Sequence, residues 1–193
     1  MRVALARGWT LRALVRPASP FEAPAGVDVV RGSLESATDV AAVLSGTAGV
    51  CCVFGPRSTS SAPFCARATE LIVAQTKASG IRRLVCMTGA MVGDLPSNVS
   101  MPMRTLARLF RRRFPQIALD SATQERVVMN SGLDWTIVKP PRLTDGPATG
   151  SVLAGPSLPV GLSSRISRDD VAAFLVDELI STPHPRERIY IRS

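Results

Sequence analysis

The stretch SGLDWTIVKPPRLTDGPATG, residues 131–150, decides the fold. Ser131 and Gly132 read as a helix stop, residues 134–138 as an apolar strand run, and Pro140-Pro141 as a stiff turn that no helix interior tolerates. A polar loop containing Gly146 and Gly150 follows. Open α/β sheets hold their ligands outside the carboxyl ends of the strands, and a buried strand running into such a loop marks one of those ends.

Working outward from this stretch, the same unit recurs: a helical run, a glycine, an apolar strand. Residues 3–7, Gly8 and 10–15 make the first, and the run before Gly46 with 48–54 the next. The helix opened by Pro63 runs through Ala78 to Gly80 and the strand 84–88; residues 124–130 lead through Gly132 to the strand in the opening stretch. Residues 27–31 read as a further strand, reached through a proline-rich loop, 17–24. Ser36 with Asp39, and Ser167 with Asp170, have the spacing of capping boxes at helix starts. Residues 189–191 are a short last strand. The insert 91–114 is expected to cover the carboxyl edge of the sheet. Strands alternating with helices through short turns predict a parallel sheet with helices on both faces. Right-handed crossovers then leave a doubly wound, Rossmann-like α/β sheet, expected as a single domain over residues 1–193.

Composition narrows the partners. The chain has 193 residues, 46% hydrophobic and 20% charged, which is a globular balance. The formal charge is +8, and its densest part is Arg104, Arg108, Arg111, Arg112 and Arg113. On a helix the first four read as a solvated face opposite Leu106, Leu109, Phe110 and Phe114, so no nucleic-acid partner is expected. Cys51, Cys52, Cys65 and Cys86 lack CxxC spacing and read as free thiols, mostly buried. His184, the lone histidine, reads as a surface-loop residue, and no metal site is expected. Arginines interrupt the early apolar stretches, and no run approaches the roughly 18 apolar residues of a membrane span. Residues 1–21 carry Arg2, Arg7, Arg12 and Arg16 and no acid, a transit-peptide composition. Because 11–15 reads as a strand of the fold, a cytoplasmic location is expected instead.

Six pieces, in order, resemble one family: ALARGWTLRALVRP (4–17), VDVVRGSL (27–34), GPRS (55–58), ASGIRRLVCMTG (78–89), the opening stretch, and ISRDDVAAFLVDEL (166–179). Together they resemble the atypical short-chain dehydrogenase/reductase group that joins NmrA-like NAD(P)-binding proteins and biliverdin-IXβ reductase (flavin reductase). The resemblance spans nearly the whole chain and implies roles by position. Arg16, after the family's second strand, would pair with the 2′-phosphate of NADP, with NAD as the other possible cofactor. Ser33 and Leu34 follow the third strand, on the adenine side. Gly55, Pro56 and Arg57 end the fourth strand and would let backbone approach the cofactor. Thr88 and Gly89 end the fifth, near the nicotinamide. Lys139, Pro140 and Pro141 would line the nicotinamide pocket, and Thr88 and Lys139 are the candidate catalytic residues.

The departures from the family matter as much. Ser33 stands where an acidic residue is usual. The Tyr-x-x-x-Lys pair of most short-chain dehydrogenases is missing, since Tyr190 is the only tyrosine and lies in the last strand. The opening strand and its GxxGxxG loop, which would cradle the pyrophosphate, have no counterpart in the 193 residues. The expectation is a truncated fold whose central strand, between those at Leu11 and Ala48, is absent. A start placed too late, a non-binding remnant, or strand exchange in a dimer would each account for it, ranked in that order. The implied function is an NAD(P)H-dependent reductase passing hydride to a small, flat acceptor such as a flavin, quinone or tetrapyrrole, as a monomer or homodimer. The alternatives are a non-enzymatic NmrA-like regulatory protein and a form with impaired cofactor binding.

Overall fold

A computed structural model describes residues 1–56, 63–96 and 99–193. The elements are α1 (Arg2–Ala6), β1 (Leu11–Val15), β2 (Val27–Arg31), α2 (Ala37–Leu44), β3 (Gly49–Cys52), α3 (Phe64–Ala78), β4 (Arg83–Met87), α4 (Met101–Arg113), α5 (Pro115–Met129), β5 (Asp134–Lys139), β6 (Arg142–Thr144), β7 (Leu153–Gly155), β8 (Arg165–Ser167), α6 (Arg168–Ser181) and β9 (Glu187–Arg192). The main sheet has the order β3-β4-β5-β9-β7, parallel except for β7, which pairs antiparallel with β9. β1 and β2 form a separate parallel pair, and β6 with β8 a third small sheet.

Alternation along the strands buries both faces of the main sheet, as a doubly wound architecture requires. Leu84, Cys86, Trp135 and Ile137 meet Val40 and Leu44 of α2, Ile72 and Val73 of α3, and Val128 of α5. Val85, Val138, Ile189 and Ile191 meet Val171 and Leu175 of α6 on the other face. The predicted fold class, a Rossmann-like α/β sheet, is the observed one.

The predicted break is also observed. β1 pairs only with β2, β3 pairs only with β4, and no strand among the described residues joins β1 to β3. β3 bears the mark of this: Cys51 is exposed, and Val53 beyond its end is 56% exposed. The predicted strand 48–54 shortens to Gly49–Cys52, as fits a strand with a partner on one side only.

Two helices differ from expectation. α5 begins at Pro115, well before residue 124, because its inward face carries Asp120, Ser121, Gln124 and Glu125 rather than an apolar stripe. Hydrophobic periodicity cannot reveal a helix that buries polar groups. In α4 the buried residues are Met103 and Ala107, while Leu106 and Leu109 stay exposed and Phe114 lies beyond the helix end. Met103 packs with Ala90, Val99, Val160 and Tyr190, so the insert does sit over the carboxyl edge, by a different face than predicted.

Candidate active site

The carboxyl ends of β4 and β5 adjoin, since Met87 is in register with Val138 and the Thr88 N–H donates to the Val138 carbonyl at 3.0 Å. The Ala90 N–H then donates to the Pro140 carbonyl at 3.0 Å, extending the pairing past the strand ends. Thr88, Gly89, Lys139, Pro140 and Pro141 therefore meet at one place. Thr88 and Gly89 are half-buried, Pro140 is buried and Pro141 half-buried. A side chain added at Gly89 or at Gly55 would meet nothing within 4 Å, so the space beyond both backbones is open.

Lys139 faces inward and is fully buried. Its Nζ donates to Glu125 Oε1 of α5 and, at 2.8 Å, to the Val92 carbonyl. The Thr88 hydroxyl donates to the same Glu125 oxygen at 2.8 Å. Glu125 thus links the two candidate catalytic residues, and its other oxygen, Oε2, is buried with no hydrogen-bond partner among the described residues. Gly93 makes room for that oxygen: its φ is +66°, and a Cβ there would lie 2.2 Å from Oε2. Burial pushes the Lys139 ammonium below its ordinary range, and the charge and hydrogen bond of Glu125 oppose the shift only in part.

Tyr190 comes near this group but does not complete a tyrosine–lysine acid. The Lys139 ammonium is 5.7 Å from its ring centre, while its hydroxyl donates to the Asp94 carbonyl at 3.2 Å. Burial raises the phenol well above its usual range.

The polar loop of the opening stretch is tied to α6. The Asp170 carboxylate accepts the Thr149 N–H at 3.0 Å, the Gly150 N–H at 3.0 Å and the Ser167 hydroxyl at 2.8 Å. Burial alone would raise this carboxyl, but the bonds from Thr149, Ser167 and Gly150 outweigh it and hold the pKa at about 2. The Ser167 oxygen also accepts the Asp170 N–H at 3.0 Å, as the capping-box spacing predicted.

The other implied cofactor residues lie on other elements. Arg16 is exposed, immediately after β1. Ser33 is half-buried after β2, where its N–H donates to Asp39 at 2.8 Å. Asp39, whose spacing from Ser36 suggested only a cap, thus also holds the turn after β2 through its side chain. Leu34 packs into the main core. Gly55 and Pro56 are exposed beyond β3; Arg57 falls outside the described residues.

Two residues whose orientation sequence left open, Asp120 and Gln124, turn inward. Asp120 caps α3 by accepting the Cys65 and Ala66 N–H groups, each at 2.8 Å. The Gln124 amide points to Cys86 Sγ at 3.6 Å. His184 belongs to a second polar cluster at the opposite, amino-terminal end of the strands. There Glu178 meets the His184 ring and the Arg83 guanidinium, and Arg83 donates to Thr136 Oγ1 at 2.8 Å.

Glu125 was missed in the sequence. A lysine at the end of the buried strand 134–139 implies an acidic partner, but that partner sits 14 residues earlier on a crossover helix, and only packing brings it near.

The residues present fit one half of a nicotinamide dinucleotide. The open space beyond Gly55 and Gly89, next to a half-buried hydroxyl, suits a flat ring lying across the strand ends. Between β1 and β3, where a pyrophosphate would cross, the described residues provide no glycine-rich turn.

Comparisons with known proteins agree with the architecture. The profile of an NAD(P)H-binding family matches residues 1–182. A candidate NADH-flavin reductase from Streptococcus pneumoniae is similar at 24% identity over 100% of this chain and 91% of that one, with a TM-score of 0.77. An anaerobillin reductase from Escherichia coli O157:H7 is similar at 20% identity over 99% of this chain and 88% of that one, also with a TM-score of 0.77. A short-chain dehydrogenase/reductase from Veillonella parvula in complex with NADP is similar at 18% identity over 88% and 74%, with a TM-score of 0.69. With a match over nearly its whole length and a Rossmann-like sheet beneath it, the chain belongs to the NAD(P)H-binding family.

Proposed function

We propose that this chain is an NAD(P)H-dependent reductase that reduces a small, flat, electron-poor molecule such as a flavin, a quinone or a linear tetrapyrrole. The observation that carries the reading is the Thr88 hydroxyl at the carboxyl end of β4, backed by buried Glu125 and Lys139 and bordered by the open space at Gly89. The nicotinamide supplies the hydride when bound. Gly55, Pro56 and Gly89 offer backbone to the ring, and the Pro140-Pro141 turn closes its side. Leu34 and Ser33 lie on the adenine side, and the exposed guanidinium of Arg16 selects the 2′-phosphate of NADP, for which a planar fork of donors is suited.

Flat acceptors of this kind need no tyrosine acid, which matches the bonding of Tyr190 to Asp94. Their reduction is followed by NADPH oxidation with FMN, a quinone or biliverdin. NADPH is expected to be preferred over NADH, and Arg16→Ala to raise the KM for NADPH about tenfold while leaving NADH unchanged. No oxidation with any of the three acceptors refutes the reading. The sealing of Lys139 and Glu125 from solvent favours a second reading, a regulatory protein that binds NAD(P) without chemistry. Cofactor binding by calorimetry, with no acceptor reduced, supports that one. The small-molecule partner and a cytoplasmic location belong to the first reading; no helix among the described residues is long and apolar enough to cross a membrane.

A further inference from the structure

The carboxyl-end cluster has an order to it. Lys139 and Glu125 are sealed, 0% and 1% exposed, while Thr88 is half-buried and borders open space. Thr88 is thus the member of this chain of hydrogen bonds through which a proton could leave. The chain is continuous: Lys139 Nζ donates to Glu125 Oε1, and Thr88 Oγ1 donates to the same oxygen at 2.8 Å. Glu125 Oε2 accepts nothing among the described residues. A carboxylate held for stability alone would be expected to have both oxygens satisfied, since an unpartnered buried acceptor costs about 1–3 kcal/mol. The two donors converge on Oε1 instead, which makes that oxygen the point where Lys139 and Thr88 can exchange a proton.

We propose that Lys139, Glu125 and Thr88 form a proton relay, with Glu125 as the carrier, that delivers the proton required beside each hydride. The inference rests on the reductase reading. In the relay the Lys139 N–H bond breaks and its proton passes to Glu125. Thr88 turns its hydroxyl outward, and its O–H bond breaks toward the reduced acceptor only as the proton on Glu125 arrives, in one concerted step. Water at the open space beside Thr88 then returns a proton through Thr88 and Glu125 to the Lys139 amine, so each turnover consumes one hydride and one proton. Thr88 is the catalytic residue here; Glu125 and Lys139 act through it.

The groups facing this cluster set its charge. Besides Glu125, Arg188 of β9 and Asp94 of the β4–α4 loop act on the Lys139 ammonium in opposite senses, and the ring of Tyr190 lies 5.7 Å away. Burial weakens the ammonium's hold on its proton.

Thr88→Val keeps the shape and removes the hydroxyl; Thr88→Ser keeps the hydroxyl. The valine variant is expected to lower kcat at least 100-fold, the scale of lost general-acid catalysis, with the KM for NADPH within twofold. The serine variant should stay within threefold of wild type and keep its solvent deuterium isotope effect. A second readout uses ligand-free protein: side-chain NMR of Glu125 δ-carbon and Lys139 ζ-nitrogen across pH. The relay predicts that the Glu125 signal moves as Lys139 titrates, and that it is displaced in Thr88→Val. A kcat that Thr88→Val leaves unchanged, or a Glu125 signal indifferent both to Lys139 titration and to Thr88→Val, overturns the relay alone. Wild-type protein that oxidises NADPH with no acceptor overturns the reductase reading and the relay with it.

Discussion

Lys139 and Glu125 show how a residue can be read correctly as unusual and still be placed by packing alone. A lysine ending an apolar strand run, followed by two prolines, is visible in sequence. That it is sealed beneath Tyr190 and paired with an acid on α5 is not. Removing one partner of a buried ion pair leaves the other charge unmatched and costs about 3–5 kcal/mol, whereas replacing both with neutral groups is often close to neutral. Lys139→Met is therefore expected to lower stability by about 3 kcal/mol or more, and Lys139→Met with Glu125→Gln to recover most of the loss. Urea unfolding of the two variants and of Glu125→Gln closes the cycle. Equal losses in Lys139→Met and the double variant would mean that the pairing is not what stabilises the site.

At the scale of elements, most helices and strands were legible because glycine stops and strand runs alternate. Gly132, at φ +73°, ends the connection from α5 as its position implied. The first half of α5 was not legible, because its buried face is Asp120, Ser121, Gln124 and Glu125. Of those polar groups, Asp120 caps α3 and Glu125 holds Thr88 and Lys139, roles that depend on distant neighbours. The polar loop after β5 is likewise set by a remote group, since Asp170 at the start of α6 gathers the Thr149 and Gly150 N–H groups. Its folded pKa of about 2 lies below the unfolded value of about 3.9, so the charged form is favoured by folding. The resulting stability is present above about pH 4 and is lost as pH falls toward 2, of order 2 kcal/mol in all. Asp170→Asn should lower stability at pH 7 by about that amount and flatten the pH 4 to 2 limb of the unfolding curve. An unchanged acid limb in the variant would locate the titration elsewhere.

The whole molecule is a Rossmann-like sheet in two unequal parts, and its order was foreseeable from the run of motifs. The gap between β1 and β3 was foreseeable too, because no GxxGxxG motif occurs within the 193 residues. What the sequence could not convey is how the rest accommodates it. The β1–β2 pair is held by α2 rather than by the main sheet: Arg12 bridges from Asp28 to the Ala42 and Ser45 carbonyls, at 2.7, 2.9 and 2.7 Å. Strands with fewer ladder bonds open more readily than the core of a sheet. Amide hydrogen exchange is expected to be at least tenfold faster in Leu11–Val15 and Val27–Arg31 than in Arg83–Met87 and Asp134–Lys139. Uniform protection across all four strands would show that the two sheets unfold as one unit.

The facing borders of β1 and β3 also govern how the protein behaves in company. Among the described residues no strand pairs with either border, and the side chains around β3 include exposed Cys51 and Val53. Unpaired strand borders template the pairing of extended polypeptide. Crowded solutions of this protein should therefore grow cloudy by edge-to-edge β association rather than by collapse of its helical surfaces, and a short extended peptide that occupies the border should keep them clear.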